Sequence, residues 1–278
     1  MSFQQFIARW LTARMTKVVK EELFSPKPGT ELIPDSGCDE ADSLVVDIGF
    51  VFAMPMEAAG VVDRLGSRKT TVGDGRKFHM GQLGKFRVAV VESGVGQEKA
   101  GAATTALIDT FRPKRLISAG YSGALSADLK RFAIRIPSVV IRESDGKRIE
   151  LQPEADDPVR LVTTDFVVAT PKRKKSFGEE YQAALVDMET FAVAECCQER
   201  GVPLLSVRIV LDTLDEALPK DVQRIMRSAE RSKSRLAGSV LGSLFSRPSA
   251  LVDLYSLKER ALVATDRLAK RIFKELGG

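Results

Sequence analysis

Two rhythms of apolar residues alternate along most of this chain. Short continuous runs form the first: LVVDIGFVFAM from Leu44, RLISAG, and VPLLSVRIVLD. Such runs predict strands buried on both faces. FAIRIPSVVIR and LVTTDFVV are further strand candidates. KFHMGQLGKFRVAVVES reads as two strands around a glycine-containing turn, with His79 near Gly81. The second rhythm spaces apolar residues three and four apart and predicts helices. It covers MEAAGVVDRL, then Gln97 to Phe111 with Pro113 as the stop, then VDMETFAVAECCQERG ending at Gly201. It returns in the last segment, where Leu254, Leu257, Ala261, Ala264, Leu268 and Ile272 share a face. Ser249 after Pro248 reads as the N-cap of that helix, and Gly277-Gly278 closes it. Strands alternating with helices specify an α/β fold with a largely parallel sheet.

Residues 1–22 form a separate amphipathic helix in this reading. Phe3, Phe6, Ile7, Trp10, Leu11, Met15 and Val18 make its apolar stripe, beside Arg9, Arg14, Lys17 and Lys20. The Pro-, Gly- and Ser-rich stretch that follows reads as a linker. The chain thus divides into an appendage over 1–44 and a domain over 45–278, with a small, apolar insert around 216–250. A basic helix bearing Trp and Phe suits peripheral contact with a membrane surface through residues 1–22. Packing on its own domain or on a partner subunit is the other reading, favoured by Arg14 within the apolar arc.

Composition narrows the class. The chain has 278 residues, 44% hydrophobic and 28% charged, which describes a globular protein and not a disordered one. No apolar run reaches the roughly 18 residues of a membrane span. Arg9 and Arg14 break any signal-peptide apolar region. Three cysteines give no disulfide framework, and a reducing, cytoplasmic setting is expected. Positive charge concentrates from Glu216 to Gly278, with 13 basic side chains against 7 acidic ones. It is read as solvated helix faces. Only 6% of residues are aromatic and none clusters with the basic runs, so no nucleic-acid partner is expected.

Ligands of parallel sheets collect at the carboxyl ends of the strands. There the sequence places Glu57 in AMPMEA, the loop SGVGQ, the loop GYSGAL, Asp212 after LLSVRIVL, and Asp187, Met188 and Glu189 at the start of a helix. The carboxylates of Glu57, Glu189 and Asp212 and two loops that admit a ligand close to backbone share one edge. Each has a plainer reading. Glycine serves turns. Glu57 and Glu189 suit helix N-termini. Asp212 could cap a turn. SGVG is not the dinucleotide fingerprint GxGxxG. One histidine and no CxxC give no metal site, and His79 is given a structural role. KRKK at 172–175 reads as a solvated loop.

Order and spacing say more than any part. DIGFVFAMPMEA, ESGVGQEKAGAATTALI, ISAGYSGAL, VDMETFAVAECC and VPLLSVRIVLDTLDEA together resemble the purine nucleoside phosphorylase and nucleosidase superfamily. The nearest likeness is to its methylthioadenosine/S-adenosylhomocysteine nucleosidase branch, over about Asp47 to Ala217. The resemblance implies a three-layer α/β/α nucleoside phosphorylase-like fold with a central mixed sheet. It implies that Met188 packs on the sugar and that Glu189 accepts hydrogen bonds from the ribose hydroxyls. Asp212 resembles the general acid that protonates purine N7, and Glu57 the residue that positions the attacking water. Ser93 and Gly94 resemble the loop beside the sugar and the nucleophile. Val167 and Val168 fall where the base is read through main-chain groups. A homodimer acting on a small-molecule nucleoside without cofactor or metal is implied.

Two departures stand out. Tyr121 occupies a position where the family usually has a small residue, and the motif reads VDMET rather than VEME. Hydrolysis is favoured, because AMPMEA offers no Arg or Lys to a phosphate and Glu57 would repel it. Phosphorolysis, with phosphate as co-substrate, stays open through Lys99, and an adenosine carrying a large apolar 5′ group is the substrate considered for it. A catalytically silent nucleoside-binding protein is the reading from another class.

Overall fold

The computed structural model describes residues 45–73, 75–151, 159–218 and 248–277, with backbone alone over 248–258. The helix expected over 1–22 and residues 219–247 of the insert lie outside the described residues.

β1 (Ile48–Phe52) is the centre of the sheet, parallel to β4 (Phe86–Glu92) on one side and β5 (Arg115–Ala124) on the other. Its five residues are all buried, as its unbroken apolar run requires. Alternate side chains serve opposite layers. Ile48, Phe50 and Phe52 join the core beneath α1 (Pro55–Val62) and the C-terminal helix α5 (Pro248–Glu275). Val51 faces α2 (Gln97–Phe111), in a core that also holds Val193 and Cys197 of α4 (Thr190–Arg200). Gly49 shares the Val51 side. A Cβ there would meet Leu107 Cδ2 at 2.5 Å, so glycine lets α2 approach the strand. Helices on both faces of the sheet give the three layers expected.

The sheet is mixed, also as expected. β2 (Gly66–Gly73), β3 (Arg76–Leu83) and β4 form an antiparallel meander at one end. Beyond β5 the order runs β10 (Leu185–Asp187), β9 (Arg160–Thr163), β7 (Val139–Arg142), β8 (Arg148–Glu150). β11 (Leu204–Asp212) lies parallel to β5 from Leu116 onward and also pairs with β6 (Ile134–Arg135). β10 meets only the far end of β5, at Gly123 and Ala124. β5 is therefore flanked on one side by two strands in succession.

Several local expectations are corrected. VDMETFAVA is not one helix: Leu185–Asp187 is a buried strand and the helix begins at Thr190. KRKK lies in α3 (Pro171–Tyr181), not a loop. Thr170 caps that helix and Pro171 suits its first turn. The β3–β4 turn is at Gly84, with φ +59°, and Gly81 sits within β3. Ser249 lies inside α5. β2, fully exposed and without apolar alternation, carried no sequence signal.

Candidate active site

The carboxyl ends of β1 and β4, the middle of β5 and of β11, and the starts of α1 and α4 enclose a cavity of about 10 Å³, the room of one water molecule. Glu57, Ser93, Gly120, Tyr121, Glu189 and Arg208 are among its walls.

Glu57 is the third residue of α1, where the helix dipole favours a carboxylate. It is 4% exposed. Oε2 accepts from Met54 N at 2.9 Å and Oε1 from Tyr121 N at 2.8 Å. Gly120 makes room for it, since a Cβ there would stand 2.8 Å from Glu57 Oε1. Burial raises the Glu57 pKa, against the pull of these N–H donors and of Arg208.

Glu189 is the residue from which α4 starts. Its Oε1 accepts from Gly96 N at 2.9 Å. Gly96, with φ +102°, is the second glycine of SGVG and holds a conformation closed to most side chains. Burial, reinforced by the negative charge of Asp187 and Glu57, pushes the Glu189 carboxyl up to about 8. Met188 beside it is half-buried. Ser93 is buried, its Oγ donating to Gly94 O at 2.8 Å, while Gly94 N bonds Ala53 O at 3.0 Å. The loop after β4 is thereby tied to the end of β1.

Under the two glutamates lies a buried ion pair that the sequence reading did not assign. Arg208, 2% exposed in the middle of β11, donates through Nε to Asp187 Oδ2 at 3.0 Å. Its other nitrogens reach Ser118 O at 2.9 Å, Ser118 Oγ at 2.8 Å and Thr190 Oγ1 at 2.6 Å. Asp187 also accepts from Thr163 Oγ1 at 2.7 Å, Thr190 N at 3.1 Å and Thr190 Oγ1. A lone Arg inside VPLLSVRIVLD was the available signal.

Asp212 closes β11. It forms an ion pair with Lys174 of α3. Lys174 is fully buried and also donates to Thr213 O at 2.7 Å and Glu216 O at 2.8 Å. Burial raises the Asp212 pKa while Lys174 lowers it; burial prevails. Gly123 gives Asp212 its space, a Cβ there standing 3.1 Å from Oδ2. Gly120 and Gly123 of GYSG thus each accommodate one carboxylate, separated by three residues or about 10 Å of strand.

Tyr121 does not crowd this edge with its ring. The ring packs in the α1–α5 core, and its hydroxyl bonds Ala261 O at 3.1 Å and Thr265 Oγ1 at 2.7 Å. Val167 is half-buried after β9. The Val168 side chain belongs to the core around Phe177. His79 bridges Thr70 Oγ1 at 2.9 Å and Glu92 Oε1 at 3.0 Å within the meander, a structural placement. Lys99 is exposed on α2.

A family model described as the phosphorylase superfamily matches residues 47–161 and 155–244. A 5′-methylthioadenosine/S-adenosylhomocysteine nucleosidase of Colwellia psychrerythraea is 27% identical over 235 residues, 70% of this chain and 96% of the relative. A Helicobacter pylori structure of such a nucleosidase, with 5′-methylthioadenosine in its active site, superposes with TM-score 0.64 at 19% identity, covering 84% of this chain and 98% of that one. The futalosine hydrolase of the same organism gives TM-score 0.63 at 19% identity, over 84% and 99%.

Proposed function

The chain belongs to the phosphorylase superfamily, and from that premise we propose that it hydrolyses the N-glycosidic bond of an adenine nucleoside such as methylthioadenosine or adenosylhomocysteine. One observation carries hydrolysis over phosphorolysis. Glu57 and Glu189 border a cavity the size of one water, and its only guanidinium is already committed to Asp187, Ser118 and Thr190. A phosphate nucleophile would meet two carboxyl groups there and no free cation among the described residues that line the cavity.

In this mechanism Glu57 orients the attacking water and takes its proton, held for that task by two main-chain donors. Glu189 accepts the ribose hydroxyls, and the positive charge that develops on the sugar favours its ionised form. Met188 packs against the sugar, and Ser93 and Gly94 border it. Asp212 protonates N7, because adenine anion is a poor leaving group. The raised proton affinity of a buried Asp212 supports that role. Val167 and Val168 offer main-chain groups to the base. The chemistry calls for no cofactor. The same reading carries a cytoplasmic homodimer, which light scattering at micromolar concentration tests.

The activity is tested by following release of free base from methylthioadenosine, adenosylhomocysteine, adenosine and inosine, with and without phosphate. Base released without phosphate, and reduced about 100-fold or more in Asp212→Asn and Glu57→Gln, is the expected result. Release only with phosphate makes the protein a phosphorylase and removes Glu57 from water activation. Tight nucleoside binding with no release makes it a silent binder.

A further inference from the structure

Lys174 is the one fully buried lysine among the described residues, and the mechanism above gives it no part. Its nitrogen has three partners: Thr213 O, Glu216 O and Asp212 Oδ2. The two carbonyls can only accept, so two N–H bonds are fixed on them. The third position faces a carboxyl, which can play either part. An ammonium donates there to a carboxylate; a neutral amine accepts there from a carboxylic acid. Both arrangements satisfy every group, so a proton can pass between the two residues without loss of a hydrogen bond. We propose that Lys174 and Asp212 form a proton-sharing pair which stores the proton delivered to N7 of the departing purine, Lys174 being the positioning residue.

The proposal rests on the nucleosidase reading and deepens it. The charges around the pair leave it the freedom to exchange. Glu216, in the turn after β11, is engaged by Arg131 and by Arg260 of α5 and accepts from Thr213 N at 3.1 Å. β5 contributes Gly123 and no charge. In the reaction the C1′–N9 bond breaks and its electron pair stays on the purine. The stored proton moves from the pair to N7, with Asp212 as the atom donor and Lys174 supplying it. The water oxygen bonds C1′ and its proton goes to Glu57. Solvent then returns a proton to the pair and takes one from Glu57, so the cycle balances.

The sign of the pH effect follows. Lys174 as an ammonium lowers the proton affinity of Asp212 itself, but the pair as a whole keeps its last proton to higher pH than Asp212 alone would. Removing Lys174 therefore brings the alkaline loss of activity to lower pH.

The test measures kcat and KM for methylthioadenosine from about pH 5 to about pH 9 in the wild type and in Lys174→Met, Lys174→Gln and Lys174→Arg. In the Met and Gln variants the alkaline limb of kcat moves down by about one pH unit or more, and kcat at pH 8 falls about tenfold or more while KM stays within about threefold. Activity recovers toward the acid end. The Arg variant keeps the charge but cannot surrender its proton, so it loses kcat at every pH. A uniform loss across pH in the Met and Gln variants, or an unchanged profile in all three, overturns the proposal. Gln keeps two N–H donors for the carbonyls and guards against misfolding. Loss of cooperative melting in all three variants assigns Lys174 to folding alone and overturns it too. A wild type that releases no base fails the nucleosidase reading instead.

Discussion

Arg208 and Asp187 show how a charge survives inside a sheet. Each is buried, and every nitrogen of the guanidinium and both carboxylate oxygens meet a partner: Thr163, Thr190, Ser118, Val207 or the other ion. Breaking one side of such a pair costs about 3–5 kcal/mol, because the other charge stays buried alone. Glu189 stands above this pair without a cation of its own, and its stability effect has a definite sign. Its carboxyl titrates near 8 when folded, against 4.5 as the ordinary value. Between those values the folded chain keeps a proton that the unfolded chain has lost, so the group's contribution is fully present below the ordinary value and declines as pH rises through about 8. Glu189→Gln does not titrate. Its melting temperature is expected to match the wild type near pH 4.5 and to exceed it by a few degrees near pH 9, as a calorimetric pH series will show. At this scale Glu57, Glu189 and Asp212 were legible, because strand and helix ends can be read from apolar runs. Lys174 was not: its burial depends on α3 turning one residue of KRKK inward beside Phe177, and neighbouring charges disguise it.

Among elements, β5 and α5 are joined through Tyr121. The residue's two ends do different work. Its N–H holds Glu57, while its hydroxyl oxygen lies within hydrogen-bond distance of Ala261 O and Thr265 Oγ1, and Thr265 Oγ1 lies 2.9 Å from Met56 O. Tyr121→Phe removes the second link and spares the first. About 1 kcal/mol of stability is expected to go, with a melting temperature lower by about 2–4 °C. Turnover is expected to stay within about twofold, since Glu57 keeps its donor; a large loss of kcat would show instead that α5 aligns the site. Most elements were legible for the same reason as the site edges. β10 was not, because its strand is only the three residues LVD before the helix, too few to display a period of two. β2 was missed because both its faces are exposed and neither is apolar.

For the whole molecule, the division at residue 44 remains a reading of the sequence. It yields a separable expectation. Deleting residues 1–44 should leave base release intact, because the candidate site is built from residues 51–216. It should weaken co-sedimentation with anionic vesicles, where a basic helix with Trp10 and Phe residues would lie. Equal sedimentation of the full and shortened chains removes the membrane role.

The position of β11 has a consequence for how this chain comes into being. It is the last strand along the described chain, yet it lies along β5, deep in the sheet. It supplies Arg208 and Asp212, and its Val207 and Ile209 complete the core under α1 and α5. A ribosome that has delivered everything up to Gly201 has made the motifs that precede VPLLSVRIVLD and most of the sheet, but a chain with an open seam. Parallel pairing across that separation in sequence is slow. Until β11 arrives, that edge of β5 stays unpaired and part of the core under α1 and α5 stays unfilled, and the site receives Arg208 and Asp212 in one late step.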